Sequence, residues 1–291
     1  MFTTIIQAAE LAQLLSTNAQ VGVFDCSFDL ANPSAGPTQF QEAHLPGARY
    51  VHLDHDLSAH GGSVAKGTAA SGGRHPLPTR EHFGQWMQAQ GLTPEVQVVV
   101  YDRQGVNYCG RLWWMLKWAG HEKVAVLDGG LQAWQAFGGH LETGPDASPR
   151  SPSHYPLPVP AAHHIALSQV LANLNSSTEQ TILDARGAAR YRGEVEPLDP
   201  IAGHIPGAIN RPFTDNFGPD GRFKPADVLR HEFTQLLGGA HPATVVHQCG
   251  SGVSAVPNLL AMELAGFGRT RLFAGSWSEW SNTPGTPVAK G

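Results

Sequence analysis

The sequence predicts an α/β protein of two tandem domains, each a mainly parallel central sheet flanked by helices. Three observations carry that prediction. Gln41-Glu42-Ala43-His44-Leu45-Pro46-Gly47-Ala48 returns as Ala202-Gly203-His204-Ile205-Pro206-Gly207-Ala208, so one unit is present twice. Short apolar, β-branched runs alternate with stretches of helical spacing, the pattern of strands joined by crossover helices. The chain of 291 residues exceeds the usual size of one domain and suits two.

The elements follow in order. Val21-Gly22-Val23-Phe24-Asp25 is a short apolar strand ending in aspartate, and Thr181-Ile182-Leu183-Asp184 is its counterpart. The His-x-Pro-Gly-Ala element comes next in each copy. Gln97-Val98-Val99-Val100-Tyr101-Asp102 then parallels Thr244-Val245-Val246-His247-Gln248-Cys249, with Ala243 to His247 reading as a buried strand. Apolar residues at helical spacing run from Arg111 to Ala119 and from Val256 to Leu264, the latter stopped by Gly266. Each copy closes alike, Leu127-Asp128-Gly129-Gly130-Leu131-Gln132-Ala133-Trp134 against Phe273-Ala274-Gly275-Ser276-Trp277-Ser278-Glu279-Trp280. Glu142 to Pro160 is rich in Pro and Ser and reads as a linker, so domains are expected at 1–141 and 163–291 with a linker at 142–162. Residues 281–291 read as a Pro/Gly-rich tail.

Composition excludes several function classes. A formal charge of −5 without a long basic run argues against nucleic acid or an anionic membrane as partner. No apolar stretch approaches a membrane-spanning length, and Met1-Phe2-Thr3-Thr4-Ile5-Ile6 lacks the basic start of a signal peptide. Three cysteines without repeated spacing make neither a disulfide framework nor a zinc site, and a reducing cytoplasm is the expected location. The histidines show no ligand spacing, so no metal is expected. His52, His55, His60, His163 and His164 read as surface or loop residues.

The chemistry points to Cys249-Gly250-Ser251-Gly252-Val253-Ser254, between a strand and a helix. A lone cysteine is ordinarily an inert core residue, and Cys26 and Cys109 read that way. Around Cys249 two glycines let the backbone curl so that several N–H groups aim at one spot. The positive end of the following helix favours a thiolate, the form that acts as a nucleophile. Aligning Gly105-Val106 with Gly252-Val253 puts Asp102 where the second copy has Cys249, so only the second copy can perform thiol chemistry.

The duplication, the His-x-Pro-Gly-Ala elements and the Cys249 loop together resemble the tandem-domain rhodanese superfamily, and within it the 3-mercaptopyruvate sulfurtransferases. The resemblance runs from Val21 to Trp280. It implies two rhodanese-like domains, an inactive N-terminal one and a catalytic C-terminal one, with the active site at their interface and no metal or organic cofactor. It also implies a small-molecule sulfur donor, a persulfide on Cys249, and an acceptor such as thioredoxin, another thiol or cyanide. By family position, Asp54, His75 and Ser251 form a proton-shuttling constellation. Arg190 binds substrate, Arg186 braces the loop or binds beside it, and Gly250, Gly252, Val253 and Ser254 line the site. Tyr108, beside the counterpart of that loop in the first copy, is a candidate to face the site or to pack in the interior. The family's second substrate arginine follows a Glu-Pro pair, whereas here Glu196-Pro197 is followed by Leu198-Asp199. Arg192 in the same segment is a further candidate.

Residues 250–254 carry no charge, which suits a donor whose single carboxylate is held by arginine better than dianionic thiosulfate. Thiosulfate is the alternative donor. A phosphatase of related fold needs an arginine closing the loop, where Ala255 and Val256 stand. A non-catalytic binding module fits the first copy, with its Asp102, but not the second.

Overall fold

The computed structural model describes residues 1–17, 20–59, 69–146, 151–174 and 180–291. The chain divides into two compact units. One comprises Met1–Ser58, Pro78–Ala161 and Gly218–Phe223, the other Ala59–Leu77, Ala162–Phe217 and Lys224–Gly291.

The first unit is built from β1 (Ile5–Ile6), α1 (Ala8–Ser16), β2 (Val21–Asp25), α2 (Ala35–Glu42), β3 (Arg49–Tyr50), α3 (Arg80–Ala89), β4 (Gln97–Tyr101), α4 (Cys109–Trp118), β5 (Val124–Leu127) and α5 (Gly130–Phe137). The second contains β6 (His163–His164), α6 (Leu167–Leu174), β7 (Thr181–Asp184), α7 (Ala188–Tyr191), β8 (Ile209–Asn210), α8 (Ala226–Leu237), β9 (Val245–Gln248), α9 (Val256–Leu264), β10 (Arg271–Leu272) and α10 (Ser276–Trp280). The strand orders, β1-β5-β4-β2-β3 and β6-β10-β9-β7-β8, correspond strand for strand, and all pairings are parallel. Parallel strands buried on both faces read as continuous apolar runs, as Val98-Val99-Val100 does. The order reverses between β2 and β4, and between β7 and β9, which places a crevice at the carboxyl ends of those strands.

One face of each sheet packs against helices through a defined core. In the first unit Phe40, Leu45, Val99, Leu127 and Trp134 belong to it, in the second Ile182, Val246, Phe273, Trp277 and Trp280. The repeated histidines are structural. His44 stacks on Phe40 with ring centroids 4.0 Å apart and donates from Nδ1 to the Phe40 carbonyl, 2.7 Å away. His204 does the same on Tyr191, at 3.9 Å and 2.8 Å.

Three boundaries differ from the sequence expectation. Residues 281–291 are not a tail: Trp280 Nε1 donates to the Pro287 carbonyl, Ala289 bridges His204, and Val288 packs on the core. His163-His164 is a strand rather than a loop, because its backbone pairs with β10. Thr244 belongs to a short turn before β9, which begins at Val245. In the stretch read as a linker, Ser153 N–H donates to the Gln88 carbonyl and Ala161 N–H to that of Lys117, so it is anchored on the first unit. Residues 147–150 of that stretch, and His60, lie outside the described residues.

His247 in β9 is fully buried, and neither ring nitrogen has a hydrogen-bond partner among the described residues. Burial pushes its pKa down to about 3. In the unfolded chain the imidazole takes its proton near pH 6.5. Between these values only the unfolded state holds the proton, so stability falls as pH falls. Between pH 7 and pH 4 the wild type is expected to lose about 3 kcal/mol more than His247→Leu, at 1.36 kcal/mol per unit of separation. Urea unfolding at several pH values reads this; parallel pH profiles would contradict it.

Candidate active site

Cys249 is the first residue beyond β9 and is buried. β9 pairs with β7 so that Gln248 lies opposite Asp184, and Ala185 N–H donates to the Gln248 carbonyl at 2.9 Å. The two strands therefore deliver Cys249 and Arg186 to the same carboxyl end of the sheet. Gly252 has φ +72°, and a Cβ there would lie 2.1 Å from the Ala274 carbonyl oxygen. Glycine is required for both reasons. The loop is clamped from behind by Trp277 N–H on the Cys249 carbonyl (3.0 Å) and Ser278 N–H on the Gly250 carbonyl (2.8 Å).

Ser276 completes the clamp. Its Oγ accepts the Cys249 N–H at 3.1 Å and donates to the Phe273 carbonyl at 2.9 Å. Its φ is +53°, a conformation the first copy reaches with Gly130 at φ +57°. The sequence signal was this exchange of serine for glycine between otherwise matching segments, and sequence reasoning attached no role to it.

The first unit shows what such a loop does with its N–H groups. Asp102 accepts from Gln104 and Val106 at Oδ1 (3.0 Å each), and from Tyr108 and Cys109 at Oδ2 (2.8 and 2.9 Å). Burial pushes its carboxyl up against the four N–H groups, which pull it down. The corresponding N–H groups of the second copy belong to Ser251, Val253, Ala255 and Val256. A single sulfur stands there in place of two carboxylate oxygens.

His75 joins Ser251 within the second unit: His75 Nδ1 lies 2.7 Å from Ser251 Oγ, and both residues are buried. The segment carrying His75 is pinned to the α10 turn. Gly72 N–H donates to Glu279 Oε1 (3.1 Å) and Arg74 N–H to Ser278 Oγ (2.8 Å). Burial raises the Glu279 carboxyl above its ordinary range.

The two arginines expected near the loop have different surroundings. Arg186 is held by Asp184 (Nη2–Oδ2 2.7 Å), by Glu196 (3.4 Å) and by the Gly203 carbonyl (2.7 Å), and its guanidinium lies 4.6 Å from the Trp277 ring centroid. Those contacts make it a brace. Arg190 pairs with Glu196 (2.6 Å) and Asp199 (3.3 Å), yet remains partly exposed. Its Nη1 lies 3.4 Å from where a Cβ on Gly250 would be. Arg192, by contrast, forms an exposed pair with Glu194. Val253 is buried and Ser254 half-buried.

Asp54 and Tyr108 belong to the first unit. Asp54 N–H donates to His52 Nδ1 at 3.1 Å. Tyr108 precedes α4, packs edge-on against Phe28 at 5.3 Å, and has its phenol pKa raised by burial. Among the described residues, no three His, Cys, Asp or Glu side chains converge as metal ligands, and no helix is long and apolar enough to cross a membrane.

Residues 7–137 and 166–283 each match the rhodanese-like domain family. The chain is 45% identical over 288 residues to the "Probable 3-mercaptopyruvate sulfurtransferase" of Pseudomonas aeruginosa, covering 99% of this chain and 98% of that protein. It is 39% identical over 289 residues to the "Putative thiosulfate sulfurtransferase SseB" of Mycobacterium tuberculosis, covering 99% of this chain and 97% of that protein. It is also similar to the solved structure of 3-mercaptopyruvate sulfurtransferase from Leishmania major, with a TM-score of 0.83, 30% identity, and coverage of 98% of this chain and 76% of that one.

Ser276→Ala leaves the Cys249 N–H unmet while keeping the positive φ, and is expected to cost about 1–3 kcal/mol. Ser276→Gly loses the same bond but relieves the backbone, so it should cost less. Denaturant unfolding of both variants checks the order; a glycine variant less stable than the alanine variant would contradict it.

Proposed function

Because the chain belongs to the rhodanese-like domain family in both of its halves, we propose that it is a sulfurtransferase taking sulfur from 3-mercaptopyruvate onto Cys249 and passing it to an acceptor. The 2.7 Å contact between His75 and Ser251 carries this reading. The Cys249 thiolate attacks the donor's sulfur, an S–S bond forms, and the C–S bond breaks with its electron pair left on carbon as an enolate. The donor's S–H proton must leave sulfur and a proton must arrive at that carbon, giving pyruvate and the Cys249 persulfide. Ser251 and His75 are a hydroxyl and an imidazole in hydrogen-bond contact, two residues beyond the nucleophile, and can hold and return that proton. Thiosulfate has no such proton to move. The resemblance adds Asp54 to the same relay.

The remaining residues supply binding and charge stabilisation. The N–H groups of Ser251, Val253, Ala255 and Val256 are the counterparts of those that bind the Asp102 carboxylate, and they suit an anionic persulfide. Arg190 is the partly exposed guanidinium beside the loop and suits the donor's carboxylate. A second nucleophile then removes the outer sulfur and regenerates the thiolate, a two-step covalent cycle. The acceptor is a thiol, such as that of thioredoxin, or cyanide. All three cysteines are free, which supports a reducing compartment such as the cytoplasm. Thiosulfate as donor is the second reading, favoured by the name of the Mycobacterium tuberculosis relative.

Steady-state rates with both donors test the assignment. Cys249→Ser is expected to abolish transfer, and 3-mercaptopyruvate is expected to have the higher kcat/KM; a large preference for thiosulfate would replace it as donor. Ser251→Ala should lower kcat with 3-mercaptopyruvate by about 10²-fold, the scale of general acid–base catalysis, while sparing thiosulfate turnover. Equal losses with both donors would remove Ser251 from the proton relay. Arg190→Ala should raise KM for 3-mercaptopyruvate about 10- to 100-fold, the range for losing a charge-assisted hydrogen bond.

A further inference from the structure

We propose that Arg74 supplies the second guanidinium of the donor-carboxylate clamp, in place of the arginine missing after Glu196-Pro197. This rests on the mercaptopyruvate reading above. A Cβ on Gly250 would lie 3.2 Å from Arg74 Nη2 and 3.4 Å from Arg190 Nη1. Two guanidiniums from distant segments thus converge on one point above the residue that follows Cys249. One carboxylate spans them: Asp199 Oδ1 takes Arg74 Nη1 at 2.9 Å and Oδ2 takes Arg190 Nη2 at 3.3 Å. Asp199 itself is buried, its N–H donating to Glu196 Oε1 at 3.3 Å.

Leu198-Asp199 therefore has its own logic. Where an arginine would point in from this segment, the chain places a carboxylate that draws Arg74 in from another. Arg74 Nε is buried with no hydrogen-bond partner among the described residues, an expensive state for a charged donor group. Arg74 also lines a cavity of about 480 Å³ with Gly73, Leu198, Asp199, Ser278 and Glu279.

The ion-paired charges near the loop cancel, Arg74, Arg186 and Arg190 against Asp184, Glu196 and Asp199, and Glu279 adds a further carboxyl to the cavity lining. Such a site offers directional N–H groups without surplus positive charge. It recognises the planar carboxylate of a 2-oxo acid better than a dianion, since the forked geometry of each guanidinium matches two coplanar oxygens.

The test is the kinetics of Arg74→Ala, Arg74→Lys and the double variant Arg74→Ala/Leu198→Arg with 3-mercaptopyruvate, together with inhibition by pyruvate, which keeps the carboxylate and lacks the sulfur. Arg74→Ala is expected to raise both KM and the pyruvate inhibition constant about 10- to 100-fold, with kcat changed less than about threefold. Arg74→Lys should fall between wild type and Arg74→Ala, and it serves alone if the alanine variant does not fold. Leu198→Arg should recover a substantial part of the lost affinity, because residue 198 lines the same cavity as Arg74. A brace that only positions the neighbouring His75 would lower kcat and leave pyruvate inhibition unchanged, and that outcome overturns the proposal. Unchanged kinetics in both single variants would overturn it too. Wild-type protein inactive with 3-mercaptopyruvate would instead sink the donor assignment; pyruvate binding by calorimetry to wild type and Arg74→Ala would then decide the clamp alone, equal affinities overturning it.

Discussion

At the carboxyl end of the central strand the backbone curls so that several N–H groups face one point, and a donor cluster of that kind must be met by an anion. The first unit meets it internally, with the two oxygens of Asp102 taking four N–H groups. A carboxylate so satisfied is inert, and the loop becomes a closed structural element. The second unit puts one sulfur at that position. A thiol is a weak acceptor, and in the proposed reaction the same backbone would meet the negative sulfur formed during transfer. The curl depends on Gly252 against Ala274 and on the Ser276 clamp, which any bulkier or non-bonding residue would open.

Around this loop the fold controls charge with carboxylates. Arg186 is immobilised by Asp184, Glu196 and the Trp277 face, while Arg190 and Arg74 share Asp199. Buried pairs of this sort add little net stability, because desolvation offsets most of the attraction. Their contribution is geometric: they fix where each guanidinium stands. The loop stays uncharged, and cations reach it only as directional donors already balanced by anions.

Much of this was legible in the sequence. The central strands and the parallel character of each sheet follow from repeated apolar runs, because a parallel sheet leaves a continuous hydrophobic signature, whereas the strand order comes from the pairing alone. Cys249, Ser251, His75 and the two loop glycines were readable from one motif and its family resemblance, and the structure joins His75 to Ser251 in the second unit. The C-terminal segment was misread because Pro and Gly signal a break in regular structure. They do not reveal that Val288 and Ala289 fold back onto the core. His163 is exposed, as its surface reading expects, but the strand at His163-His164 was not legible because a two-residue strand has no periodicity to detect.

The sequence by itself determined the duplication, the α/β class and which copy carries a cysteine in the loop, since these depend on local patterns and on one Asp-for-Cys exchange. Tertiary structure alone decided which carboxylates hold Arg186 and leave Arg190 partly open, and that Arg74 meets Arg190 over Gly250. It also decided that Ser276 holds the Cys249 backbone. The physical reason is common to all three. A guanidinium's role is set by the carboxylates within about 4 Å of it, and a hydroxyl's by the backbone groups it can reach. Those neighbours come from segments far apart in the chain, so no local pattern encodes them.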